Sequence, residues 1–108
     1  MLSIVKSGGL NGIDGYSVDV ETDISNGIPA FDIVGLGDTA VKESRERVKA
    51  AVKNSQLEFP IRRITVNLAP ADMRKEGALY DFPITIGILA ATGQIGMDVL
   101  DGKMFIGE

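Results

Sequence analysis

The chain has 108 residues, of which 44% are hydrophobic and 24% are charged, a composition typical of a globular domain. It contains no cysteine and no histidine, which excludes disulfides, thiolate catalysis, zinc sites built from cysteine, and histidine as a general base. The formal net charge of −4 argues against a nucleic-acid surface spread over the whole domain. No apolar run approaches the roughly eighteen residues of a membrane span, and the first residues lack a signal-peptide core, so the sequence predicts a cytoplasmic protein without membrane contact.

The first third of the chain reads as β-structure. Residues 3–6 predict a short strand, and the glycines that follow, from Gly8 to Gly15, predict a turn or loop. Residues 16–24 alternate apolar and polar side chains, which is typical of a strand with one buried face and one wet, acidic face. Asn26-Gly27 favours a hairpin between this strand and another at residues 30–34, so we expect an antiparallel ribbon.

A helix is predicted over residues 39–54, with Asp38 or Thr39 as its cap. The glycines before it, Gly35 and Gly37, match neither the P-loop nor the dinucleotide fingerprint, so they indicate close packing at a strand-to-helix turn. Residues 36–63 carry seven lysines and arginines against four acids. The candidate nucleic-acid or subunit contacts in this region are Lys42, Arg45, Lys49, Lys53, Arg62 and Arg63. Because glutamates dilute this charge, an ordinary solvated helix face fits the same residues.

The second half predicts a strand at residues 64–68, a proline-containing corner, and a buried helix of about ten residues that starts after Asp81 as its cap and ends at Gly93. A turn at residues 97–100 and the start of a strand at 104–106 follow. None of the serines lies in a strained elbow, and nothing in the spacing of Asp72 and Asp81 shows that these carboxylates meet. The residues alone therefore predict no catalytic set. A strand beginning so close to Glu108 leads us to expect a piece of a longer protein.

Three stretches carry a family resemblance. They are NGIPAFDIVGLGDTAVKESRERV at residues 26–48, FPIRRITVNLAPAD at residues 59–72, and Lys75-Glu76-Gly77 followed by Asp81-Phe82-Pro83. These motifs resemble the amino-terminal domain of the magnesium-chelatase-like AAA+ ATPases of the ComM/YifB type. The resemblance covers essentially the whole chain. It implies one domain over residues 1–108, of the ribosomal protein S5 domain 2 type and akin to the proteolytic domain of Lon.

The fold that the resemblance implies is α+β, a two-layer α/β sandwich with an N-terminal antiparallel ribbon, two main helices and a mixed sheet. The function that it implies is that of a non-catalytic accessory domain. The longer protein would be a hexameric AAA+ ATPase that uses ATP and Mg and drives branch migration of DNA. This chain itself would hold no cofactor or metal, and its partners would be the rest of the AAA+ chain, further copies, and DNA.

Two alternatives stay open beside that reading. In the resemblance to Lon, Lys75-Glu76-Gly77 corresponds to the loop that introduces the nucleophilic serine, and the serine position falls at Leu79. Leucine cannot act as a nucleophile, so a Ser–Lys peptidase is disfavoured and the loop is interpreted as degenerate. A metal-chelatase ATPase subunit is the other alternative. It rests on the family name, because no ligand cluster in the sequence supports it.

Overall fold

Strands and helices follow one another in nearly the order that the sequence predicts. The structure is a computed structural model that describes residues 2–11, 14–69, 80–100, 103 and 105. Its elements are β1 (Leu2–Asn11), β2 (Asp14–Ser25), β3 (Ala30–Val34), α1 (Asp38–Asn54), β4 (Arg63–Ala69) and α2 (Asp81–Ala91), followed by a 3₁₀ helix at Met97–Leu100. The predicted α+β class with two main helices is confirmed.

The four strands form one mixed sheet in the order β1-β2-β4-β3. β1 pairs with β2 and β2 pairs with β4, both antiparallel, whereas β3 runs parallel to β4. An antiparallel ribbon is therefore present, but β1 and β2 form it, with Val5 opposite Val20 in their register, and not the two strands for which it was predicted.

The predicted hairpin at Asn26-Gly27 is wrong, because β2 and β3 are not hydrogen-bonded to each other. β4 lies between them, and its residue Ile64 has Ile24 of β2 on one side and Phe31 of β3 on the other. The tertiary reason is the crossover from β3 through α1 to β4, which makes these two strands parallel neighbours and takes the place that a hairpin partner would occupy.

The loop predicted at Gly8 to Gly15 is also wrong over most of its length. β1 continues through Gly8 and Gly9 to Asn11, and β2 already begins at Asp14. Pairing along the full length of the two strands overrides the low strand propensity of glycine. Of the strand predicted at residues 104–106, only Phe105 is described; its N–H donates to the carbonyl oxygen of Lys6 at 2.8 Å, on the side of β1 away from β2.

Neither helix begins as predicted, although both are present. α1 has Gly37 as its N-cap and no side-chain cap hydrogen bond, so Asp38 is the first helical residue and Thr39 lies inside the helix. α2 has Tyr80 as its N-cap, and Asp81 is likewise the first helical residue. The carboxylate of Asp81 cannot cap α2 because it is engaged with side chains of α1.

The core lies between one face of the sheet and the two helices. The sheet contributes buried Val5, Val18, Val20, Ile64 and Val66, and the helices contribute buried residues from both, such as Val48, Val52, Ile84 and Ile88. On each strand, the residues that alternate with these buried ones point away from the core. They form what we call the outer sheet face. Its members include Leu2, Ile4, Glu21, Asp23, Asp32, Val34 and Asn67. The sheet therefore has one covered and one uncovered face among the described elements.

Helix α2 approaches the sheet closely at Gly87. The Ser3 hydroxyl donates to the carbonyl oxygen of Gly87 at 2.8 Å. A Cβ placed on Gly87 would lie 2.6 Å from Oγ1 of Thr22, which is closer than van der Waals contact allows. Oγ1 of Thr22 is buried and has no hydrogen-bond partner among the described residues. Glycine is thus the residue that lets α2 lie flat on β1 and β2.

We predict that Gly87→Ala lowers the free energy of unfolding by about 1 to 2 kcal/mol, since overpacking outweighs the gain in helix propensity. Urea denaturation followed by circular dichroism measures the change. The matched comparison is the same substitution in a Thr22→Ala background, where the 2.6 Å contact is gone. The cost of Gly87→Ala should shrink there, and an unchanged cost would contradict this account of the contact.

Candidate functional site

The two helices are joined by a buried carboxylate. Asp81 is 4% exposed. Its Oδ1 accepts a hydrogen bond from the Ser44 hydroxyl at 2.7 Å. Arg47 donates from Nε to Oδ2 and from Nη2 to Oδ1, the second at 3.4 Å. Glu43, one turn back on α1, lies 3.6 Å from Nη1 of Arg47. A buried charge is tolerated when it is paired and hydrogen-bonded in this way, so the network fixes α2 against α1.

Sequence reasoning did not find this network. It assigned no role to Ser44, left Arg47 out of the candidate contacts, and interpreted Asp81 as a helix cap. The available signal was a serine inside an apolar stripe with an arginine three residues later, since such residues share one side of a helix. The Ser44 hydroxyl donates to a carboxylate and not to a lysine, so it positions helices and does not form the hydrogen bond of a Ser–Lys dyad.

A groove of about 370 Å³ runs between α1 and α2. Arg47 and Asp81 line it together with mainly apolar side chains, which include Val52, Leu57, Phe82, Ile86 and Leu89. The charged residues of this lining are therefore partners in one ion pair, and most of the others are hydrophobic. Such a lining offers no free charged group that could orient a polar substrate.

The predicted contact residues on α1 do not all point outward. Lys42, Lys49 and Lys53 are exposed, and we call these three the lysine stripe. Arg45 is partly buried, and its Nη1 donates to the carbonyl oxygen of Phe31 at 3.2 Å. Its guanidinium thus ties α1 to β3, and less of it remains for a partner.

Aromatic packing links the lysine stripe to the loop before β4. Nζ of Lys49 lies 5.9 Å from the ring centroid of Phe59, within cation–π range. The ring of Phe59 packs against Phe31 at a centroid distance of 5.2 Å. Phe59 stands three residues before Arg62, and both Arg62 and Arg63 are exposed at the start of β4. The structure therefore connects Lys49 with the loop that leads to the two arginines.

The structure does not describe the remaining predicted site residues. Lys75, Glu76, Gly77 and Leu79 lie outside the described residues, as does Asp72. In the parts of the chain that the structure describes, no group of three or more acidic, cysteine or histidine residues could hold a metal ion. None of the helices described is long and apolar enough to cross a membrane.

Comparison with known proteins gives consistent matches. The family model for subunit ChlI of Mg-chelatase matches residues 20–108. Over 99% of its length the chain is 47% identical to the uncharacterized protein YifB of Escherichia coli and, equally, to the competence protein ComM of Haemophilus influenzae. An uncharacterized protein of Mycobacterium tuberculosis is 38% identical over 92% of the chain. The chain spans about one fifth of the length of these curated relatives, 21% for the first two and 20% for the third.

We predict that Ser44→Ala lowers the free energy of unfolding by about 1.5 to 3 kcal/mol, because it removes a donor from a buried carboxylate. Chemical denaturation of the purified chain measures this. The control is Glu43→Gln, which alters the exposed part of the same network and should change the free energy of unfolding by no more than about 0.5 kcal/mol. Equal, small effects of both substitutions would show that the Asp81 network does not hold the helices together.

Proposed function

The chain belongs to the family of the Mg-chelatase subunit ChlI, which it shares with YifB and ComM, and from this membership we propose that it is a non-catalytic accessory domain of an ATP-driven protein that acts on DNA. The observation that carries the proposal is the 47% identity to a competence protein over 99% of this chain and 21% of that relative. Such coverage supports a domain that recurs as one part of a longer protein. DNA branch migration in the cytoplasm is the activity we propose for that protein.

We propose that ATP and Mg bind to the remainder of the longer protein, which assembles as a hexamer. The accessory role of this chain is supported by how its polar side chains are used. Ser44, Arg47 and Asp81 bind one another between the helices. Arg45 binds a backbone carbonyl of β3. Their hydrogen bonds organise the domain and leave the exposed lysines and arginines as its groups for binding.

The DNA contact that we propose is the lysine stripe together with Arg62 and Arg63. Lysine and arginine bind phosphates without reading sequence, which suits a protein that moves along DNA of any sequence. The stripe is exposed on α1, and Lys49 is held over Phe59, close in sequence to Arg62.

We predict that Lys49→Glu and Arg62→Glu each weaken DNA binding, measured as a salt titration of affinity for duplex DNA with the longest polypeptide that the gene encodes. Each substitution removes about one phosphate contact, so the slope of log affinity against log salt should become shallower by about one. Lys103→Glu is the matched control: it reverses one exposed charge outside the proposed surface and should leave the slope unchanged. Equal slopes for all three variants and the unaltered protein would remove this surface from consideration.

We also predict that this polypeptide contains a G-x-x-x-x-G-K-[ST] motif after Glu108 and hydrolyses ATP in the presence of Mg²⁺. Lys→Ala in that motif should abolish phosphate release, whereas Ser44→Ala should leave the rate per folded molecule unchanged. A phosphate-release assay with and without DNA measures both. Absence of the motif, or no hydrolysis by the unaltered protein, would overturn the proposed function.

A further inference from the structure

Two isoleucines are almost fully exposed at one end of the sheet. Ile28 is 81% exposed and Ile61 is 86% exposed. Ala30 is paired with Arg63 in the parallel register of β3 and β4, and each isoleucine lies two residues before one of these partners. Parallel neighbours begin at the same end, so both isoleucines leave the sheet at that end, in the loops before two adjacent strands. We call them the isoleucine pair.

The loops that carry the isoleucine pair are held in place. Pro29 follows Ile28 and Pro60 precedes Ile61, which restricts the backbone beside each. The Ala30 N–H donates to the carbonyl oxygen of Arg62 at 3.3 Å, which joins the two loops.

Gln94 anchors the second loop from the side of α2. Its Oε1 accepts from the N–H of Glu58 at 3.0 Å, and its Nε2 donates to the carbonyl oxygen of Glu58 at 2.8 Å. The Phe59 ring next to it packs against Phe31. The isoleucine pair is therefore presented by ordered backbone, and a partner that binds it would pay little entropy for ordering these loops.

Positive charge flanks the isoleucine pair. Arg62 follows Ile61 directly and Arg63 begins β4, and both side chains are exposed. Neither arginine forms an ion pair within the described residues. DNA phosphates would use the arginines but would leave two isoleucines in water. A complementary protein surface needs exposed apolar side chains next to carboxylates.

The outer sheet face of this same chain has that composition. Leu2 is 54% exposed and lies opposite Asp23, and Ile4 is 46% exposed and lies opposite Glu21. On this face each exposed apolar residue of these two cross-strand pairs thus neighbours a carboxylate, as Ile61 neighbours a guanidinium. The next cross-strand pair is Lys6 and Asp19, which form an ion pair at 2.6 Å. The series of apolar residues opposite carboxylates ends there.

From this match we infer that the isoleucine pair with Arg62 docks on the outer sheet face of a second copy of the chain, around Ile4 and Glu21. The two surfaces differ, so the contact is head-to-tail and leaves one free surface of each kind on every pair of copies. The contact requires neither DNA nor ATP, so it can be tested in the absence of both. It engages Arg62, and in docked copies the DNA contact would therefore consist of the lysine stripe with Arg63.

Disulfide trapping tests the contact directly, because the chain has no cysteine of its own. Ile61→Cys in one copy and Ile4→Cys in a second, mass-tagged copy are mixed without DNA under mild oxidation, and the mixed dimer is measured on a non-reducing gel. Glu46→Cys, exposed on α1, replaces Ile4→Cys in the control mixture. The first mixture should yield several times more mixed dimer than the control. Equal yields would overturn the inference, as would a predominance of Ile61–Ile61 dimers, which marks a symmetric contact.

A charge exchange tests the polar part of the same contact. Arg62→Glu added to the Ile61→Cys copy should lower the mixed-dimer yield severalfold by placing like charges together. Glu21→Lys added to the Ile4→Cys copy should then restore it. Both changes are at solvent-accessible positions, so circular dichroism of each variant should match the unaltered chain. No loss with Arg62→Glu, or no recovery with Glu21→Lys, would contradict the pairing of these two surfaces.

Discussion

The carboxylate of Asp81 is the constraint on which the arrangement of the helices depends. It stands at the first residue of α2, is buried against α1, and is satisfied there by Ser44 and Arg47. A buried carboxylate without partners would cost several kcal/mol, so α1 and α2 stay in the one relative position that keeps these bonds. Apolar packing around Val48 and Ile88 would tolerate small shifts between the helices, whereas these directional bonds do not.

The position of α1 in turn sets the surface proposed to bind DNA. With α1 held, Arg45 reaches the backbone of β3 and Lys49 lies over Phe59. The side of α1 that carries the lysine stripe then faces solvent. The buried network of Ser44, Arg47 and Asp81 thus fixes the helix that carries the exposed lysines.

The place of β4 in the sheet has a second consequence. As the strand between β2 and β3, it brings the loop before Arg63 next to the loop before Ala30, and so places Ile61 and Ile28 at the same end of the sheet. The overall net charge of −4 conceals an uneven distribution. Basic side chains gather on α1 and at the start of β4, whereas carboxylates of β2 and β3 gather on the outer sheet face. Unlike surfaces on one molecule favour contacts between copies that are ordered and directional.

Local pattern predicted most of the elements. The alternation at residues 16–24 predicted a strand and its buried face, and the patterns at residues 39–54 and after Asp81 predicted the two helices, since a period of two or 3.6 is imposed by the backbone itself. The family was also readable from sequence, because its motifs extend through the turns as well as the elements. Of the proposed contacts, the exposed lysines and arginines were identified as a group.

Tertiary structure decided what pairs with what. Asn26-Gly27 has the residues of a hairpin turn, yet β3 pairs with β4, because the crossover through α1 makes those strands neighbours across some thirty residues of chain. Asp81 has the residue type of a cap, yet it binds Ser44 and Arg47, since a carboxylate is satisfied by whichever donors the packing brings to it. The sequence by itself therefore determined the elements, the buried faces and the family. Strand order, the ion pair between the helices and the joining of the loops that carry Ile28 and Ile61 required the tertiary structure, because each relates residues far apart in the chain that no local period connects.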